Sequence, residues 1–244
     1  MSPLPTHPKL ELSHTAMSED EALRFLEGHR IRLGNRTMDP KAQIVGEFVK
    51  SIRVPGYFPP LPELRQQLRT MVALMDEPAP VLARVENIEI PGPAGEIPAR
   101  VYASSVGGAP IPSCQVLIYP AVDFSLETES HRELVDGHVI PRERIVWYME
   151  QYLRNEADKS DLRASPLRAP KLAGQPPTMI VTAGFDPLRD EGRAYGDQLN
   201  KAGVEVVYRE YPGQIHAFVS LTRAIPQGIA ATLEIAEYLR KRLA

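Results

Sequence analysis

Two nearly unbroken apolar runs constrain this chain more than any other feature: "QVLI" inside "CQVLIYPAVDF" at 114–124, and "TMIVTA" at 178–183. Successive side chains of a strand point to opposite faces, so a strand with one wet face alternates apolar and polar residues. A run without that alternation suits a strand covered on both faces, as in a parallel sheet layered between helices. The surroundings agree. Residues 190–202 read as a helix closed by Gly203. "VEVVYREY" at 204–211 reads as the next strand, and 226–241 as a C-terminal helix with Lys and Arg in its last turns. Between the two apolar runs, 141–154 reads as a helix that starts at Pro141 and carries Ile145, Tyr148, Met149 and Tyr152 on one stripe. Strand and helix in alternation predict an α/β fold with a mostly parallel sheet.

The first third has another texture. Residues 1–17 read as a loose arm, after which Ser18 and Glu21 have the spacing of a capping box. That helix carries Leu23, Leu26 and Ile31, with Gly34 as its stop. A polar, glycine-containing link leads to "LPELRQQLRTMVALM", where Leu64, Leu68, Met71, Val72 and Met75 form a helical stripe and Pro62 falls in the first turn. Two short strands, near 85–90 and 97–102, flank a Pro-Gly-rich turn. The expected division is an N-terminal arm and helical cap over 1–80 and an α/β core over 81–244.

Composition excludes some functions. A net charge of −3 and a pI near 6.1 give no nucleic-acid footprint. Cys114 is the only cysteine, which excludes an intrachain disulfide and fits a reducing compartment. No stretch approaches the roughly 20 apolar residues of a membrane span. The first residues lack a basic-then-apolar signal pattern, so the expected location is the cytoplasm. His131 and His138 flank a "VDG" turn; without a third ligand they make no zinc site and read as surface residues.

Ligands and catalytic groups of parallel sheets collect beyond the carboxyl ends of strands. Asp186 follows one such strand and His216 the next, 30 residues later, the span of one strand-helix-strand unit. Spacing alone admits two readings. In one, the carboxylate holds the imidazole Nδ1 proton and frees Nε2 to act as a base. In the other, Asp186 is a turn residue before Pro187 and His216 a polar loop residue.

The segments "EIPARVY", "QVLIYPAVD", "PPTMIVTAGFDPLRDEG" and "YREYPGQIHAF" resemble the α/β-hydrolase superfamily, specifically carboxylesterases of the hormone-sensitive-lipase type. The resemblance implies that Asp186, first in Asp-Pro-Leu-x-Asp-Glu, is the catalytic acid, and that His216 of His-x-Phe is the base. It implies a helical cap, an ester substrate of short to medium acyl chain, and no metal or organic cofactor.

Two parts of that family's site are missing from the sequence. There is no G-x-S-x-G nucleophile elbow and no His-Gly-Gly-Gly oxyanion loop. Both belong between the strands matching "ARVY" and "QVLIYP", where only eleven residues, Ala103 to Ser113, remain. Ser105 of "ASSVGG" is the nearest match to a nucleophile. Its setting argues against it, because Gly107, Gly108, Pro110 and Pro112 leave no room for the helix that an elbow requires. In the family's strand order, 1-2-4-3-5-6-7-8, strands 3, 4 and 5 are absent. Restoring them would take on the order of 100 residues at about 30 per crossover. The strand matching "QVLIYP" would then present an open apolar edge, a site for a partner or a second copy.

The remaining candidates read as follows. Trp147, Tyr148 and Tyr152 read as packing residues. Phe218 reads as a wall of an acyl pocket, and Asp190 and Glu191 as acids that cap the following helix and favour its N-terminal dipole. Asp123 lies at the rim of the site without an assigned role.

Overall fold

The computed structural model describes residues 10–78, 84–92, 95–103 and 113–243. A 3-10 turn at Leu12–Ala16 leads to α1 (Glu19–Phe25). Its capping box forms as the spacing predicts: Ser18 Oγ accepts the Glu21 N–H, and the Glu21 carboxylate takes the Ser18 N–H at 2.7 Å. The helix ends before Gly28. Gly34 lies instead in the tight turn between β1 (Arg32–Leu33) and β2 (Arg36–Thr37), at φ 58, a conformation that favours glycine.

Next comes α2 (Pro40–Ser51), a helix absent from the sequence expectation. Asp39 caps it by accepting the N–H groups of Lys41 and Ala42, and Pro40 sits at its first position. Gly46 in its middle has a packing cause: a Cβ there would come within 2.9 Å of the His138 Cβ. α3 (Leu61–Met75) buries Leu64 and Met75, while Leu68 and Val72 of the expected stripe stay exposed.

β3 (Arg84–Gly92) and β4 (Gly95–Ala103) form an antiparallel hairpin. The main sheet contains β5 (Gln115–Ile118), β6 (Thr178–Phe185) and β7 (Val206–Ile215), parallel and in the order β5-β6-β7. Among the described residues the hairpin and this sheet share no ladder. Among the described residues no strand stands in the place of the expected central strands 3, 4 and 5. Between β5 and β6 lie α4 (Glu129–Glu133) and α5 (Arg142–Tyr152); α6 (Arg189–Lys201) connects β6 to β7, and α7 (Gln227–Leu243) ends the described chain.

β6 explains the layering. All eight of its residues are buried, as its unbroken apolar run requires. Met179, Val181, Ala183 and Phe185 point into the larger core, shared with Ala42, Ile44, Val45 and Phe48 of α2 and with Ala231 and Ile235 of α7. Ile180 points to the other face, against Tyr195 and Leu199 of α6. The sheet is thus sandwiched between α6 and the pair α2 and α7. β5 is shorter than the apolar run around it, because Tyr119 takes a positive φ of 37 and Pro120 follows.

Candidate active site

The end of β6 and the end of β7 are shaped against each other. Ala183 pairs with Tyr211 and Phe185 with Ile215, so Pro212–Gln214 bulge opposite Gly184 alone. Gly184 is obligatory there, since an added Cβ would overlap the Pro212 carbonyl oxygen. Arg189 at the start of α6 reaches back and donates to the Gly184 carbonyl at 2.9 Å. The bulge lengthens β7 through Tyr-Pro-Gly to Ile215, beyond the expected end at 211, and delivers His216 beside the β6–α6 turn. Ala217, at φ 70, then turns the chain sharply into a 3-10 turn.

In that turn Asp186 is fully buried and uses both carboxylate oxygens. Oδ1 accepts the Leu188 N–H at 2.9 Å, fixing the side chain. Oδ2 lies 2.8 Å from His216 Nδ1. The imidazole is 18% exposed. A carboxylate on Nδ1 selects the tautomer whose Nε2 is free to accept a proton. The structure therefore brings together two of the three residues singled out from sequence. The third, Ser105, lies outside the described residues, and among the described residues no serine hydroxyl hydrogen-bonds His216. No cluster of three metal-ligating side chains occurs among them either.

Several neighbours have roles that sequence did not reveal. Expected at the surface, His131 is fully buried, with Nε2 2.8 Å from Glu191 Oε2. The other oxygen of Glu191 accepts the N–H groups of Val122, at 2.7 Å, and Asp123. Glu191 is thus a buried brace between α4, α6 and the segment after β5, not a helix cap; burial pushes its carboxyl above the usual value despite those bonds. Asp190 stands with Glu191 in the first turn of α6, where the helix dipole favours a carboxylate, but it too makes no capping hydrogen bond. It accepts the Ser130 N–H at 2.8 Å and pairs with Arg189 at 2.7 Å. Asp123 pairs with Arg168 at 2.9 Å and holds Ser125, a turn-building role. Nor does His138 lie on the surface: packed over Gly46 and edge-on to Phe185, it is held at a pKa of about 4 by burial and by Lys50 and Arg53.

Phe218 is fully buried in the core against Tyr211, so it walls no open pocket. Trp147 packs as expected, stacked on Phe58 with centroids 5.6 Å apart, but Tyr152 is 70% exposed. The signals were local for Asp186 and His216, and nonlocal for His131 and Glu191, which meet across 60 residues.

Comparison with known proteins gives consistent matches. The family model described as the alpha/beta hydrolase fold matches residues 95–220, just over half of the chain. The carboxylic ester hydrolase LipN of Mycobacterium tuberculosis is 39% identical over 137 residues, which cover 56% of this chain and 36% of that protein. The ethyl acetate hydrolase of Pseudomonas putida is 32% identical over 132 residues, covering 54% and 42%. Among solved structures, a thermostable esterase from Pseudomonas putida matches with a TM-score of 0.53 and 36% identity, covering 56% of this chain and 44% of that one. The chain thus spans about two fifths of the length of the curated relatives it matches.

Proposed function

We propose, from the premise that this chain belongs to the α/β-hydrolase fold family in its hormone-sensitive-lipase-type branch, that it carries the acid–base half of a site for hydrolysing carboxylic esters of short to medium acyl chain. The observation that carries this reading is the 2.8 Å contact between buried Asp186 and His216 at the ends of adjacent parallel strands. The relatives' activities support the choice of ester over other acyl compounds.

In that reading a serine Oγ attacks the ester carbonyl carbon while His216 Nε2 takes its proton. Asp186 keeps the ring oriented and stabilises the imidazolium. Collapse of the tetrahedral intermediate expels the alcohol, which leaves with the proton from Nε2. Water then attacks the acyl-serine by the same route and frees the acid. Ser105 is the nucleophile candidate that this sequence offers; a segment beyond it and a serine of another chain are the other sources. No cofactor takes part. The division into arm and cap (1–80) and core (81–244) belongs to the same proposal, with α2 as the part of 1–80 that packs on the sheet; the Arg223 N–H donates to the Met75 carbonyl at 3.0 Å, hooking the end of α3 to the segment just after His216. A reducing cytoplasmic setting is proposed on the single cysteine.

A fluorophosphonate probe followed by peptide mapping tests the reading. A labelled serine, lost in His216→Ala, is expected. Folded protein with no labelled serine sinks the hydrolase reading for this polypeptide.

A second reading is favoured by a separate feature. Parallel pairing uses the backbone of Gln115, Leu117 and Tyr119 toward β6, which turns the N–H and C=O groups of Val116 and Ile118 to the far side. Among the described residues no strand pairs with them. In this reading the chain is a non-catalytic hydrolase relative that binds a partner strand or a second copy there. Sedimentation at several concentrations tests self-assembly; a compact monomer throughout would count against it.

A further inference from the structure

We propose that Tyr119 is a positioning residue for His216, holding the imidazole against Asp186 from the open side of the site. The inference rests on the reading of His216 as the acid–base group, and deepens it. Three observations place Tyr119. Its backbone is fixed, since the Tyr119 N–H donates to the Val181 carbonyl at 2.6 Å and so extends the β5–β6 ladder by one residue. Its φ is 37, a left-handed conformation that non-glycine residues rarely adopt and that is found where surrounding structure enforces it. Its ring lies 4.5 Å from the His216 ring, centroid to centroid, tilted by 55°.

Those facts have a common geometry. Asp186 grips the imidazole at one nitrogen, which fixes a point and leaves rotation about that bond free. A second, broad contact is needed to fix the ring plane. The Tyr119 ring supplies it at van der Waals distance, and the negative face of an aromatic ring also favours the positive charge that His216 gains when it accepts a proton. The Tyr119 ring also leans on Phe218 at 6.3 Å, which ties the side chain to the segment that follows His216. A residue with an ordinary extended φ at 119 would carry the chain straight on and withdraw this contact. The turn at Tyr119-Pro120 puts the side chain where the histidine needs it. β5 thus contributes to the acid–base half although no proton passes through it.

The test is made on the full chain, using the downfield Nδ1–H proton resonance of His216, assigned by its absence in His216→Gln. This proton is protected from exchange only while the imidazole stays on Asp186. Tyr119→Leu, which keeps the bulk without the ring, should shorten its exchange lifetime about tenfold or abolish the signal. Tyr119→Phe should restore most of the lifetime, because the ring returns without the hydroxyl. Amide spectra of both variants report folding, and Tyr119→Met serves in the same comparison where the leucine variant unfolds. A folded variant without the ring, but with an unchanged proton lifetime, overturns the proposal. Hydrolysis of p-nitrophenyl butyrate runs beside it. Turnover that His216→Ala abolishes should fall about tenfold in kcat with KM unchanged in Tyr119→Leu. Absence of turnover in the unaltered chain counts against the hydrolase reading, while the proton lifetime still decides the role of Tyr119.

Discussion

β6 runs for eight residues, every one buried, with a strand on each side; its neighbour β5 runs for four, each partly exposed, with a strand on one side only among the described residues. Both come from equally apolar stretches of sequence. The difference lies in what surrounds them. β6 is enclosed by β5, β7, α6, α2 and α7, all of which this chain supplies. The outer side of β5 faces the place where the family's strand order puts the strand leading to the nucleophile elbow. The same asymmetry divides the site. Every hydrogen bond that fixes Asp186, and the bulge that delivers His216, comes from β6, β7 and the start of α6. The proposed acid–base half can therefore be complete without a strand on the outer side of β5 among the described residues.

The largest expected effect attacks the closed half directly. In Gly184→Ala the new methyl overlaps the Pro212 carbonyl, and relief requires undoing the bulge that places His216. Loss of more than about 4 kcal/mol, or failure to fold, is expected in urea unfolding. A variant that melts like the parent would show that the bulge is not needed.

Next comes a matched pair of truncations. Ile180→Ala empties a fully buried position on β6 and should cost about 4 kcal/mol, whereas Ile118→Ala, at a partly exposed position on β5, should cost about 1 kcal/mol. Equal costs in urea melts would mean that β5 is as enclosed in solution as β6, by a partner or a second copy. Hydrogen exchange gives the backbone version: Val116 and Ile118 amides should exchange far faster than those of Ile180 and Val181.

A pH effect of intermediate size belongs to the closed half as well. His138 has its pKa lowered from 6.5 to about 4, so the folded state resists a proton that the unfolded chain accepts. Stability from this group is complete above about pH 6.5 and is lost as pH falls toward 4, by at most about 3 kcal/mol. Replacing His138 with Gln should flatten that slope in urea melts between pH 7 and pH 4.5. An unaltered slope would place the acid sensitivity elsewhere.

How far the sequence showed these features depends on the range of the interactions. Asp186 and His216 were legible because each follows an apolar strand within a few residues, in motifs that resemble a known family. The capping box of Ser18 and Glu21 was legible for the same local reason. α2 was missed although "MDPKAQIV" contains an Asp cap and a Pro at the first helical position; Gly46 masked the stripe, and its cause, the packing of His138, lies 92 residues away. His131 and Glu191 are each unremarkable in their own segments and acquire meaning only when α4 lands on α6. The left-handed Tyr119 was hidden inside an apolar run that reads as straightforward strand.

The smallest expected effect concerns the other edge of the sheet, on β7. That edge is managed, unlike β5: the Asp39 N–H donates to the Gly213 carbonyl at 2.8 Å, and Glu210 is shared by Arg36 and Arg193 at 2.8 and 2.9 Å. Arg193 is about half exposed, so removing it to Ala should cost only about 0.5 kcal/mol, since Arg36 still neutralises Glu210. Removing both arginines leaves a mostly buried carboxylate without a cation, and the loss should exceed the sum of the single losses. Simple additivity in a double-mutant cycle would mean that Glu210 is solvated rather than shared. In that case the β7 edge would be as open as that of β5, and the contrast between the two sides of the sheet would narrow to what lies on its faces.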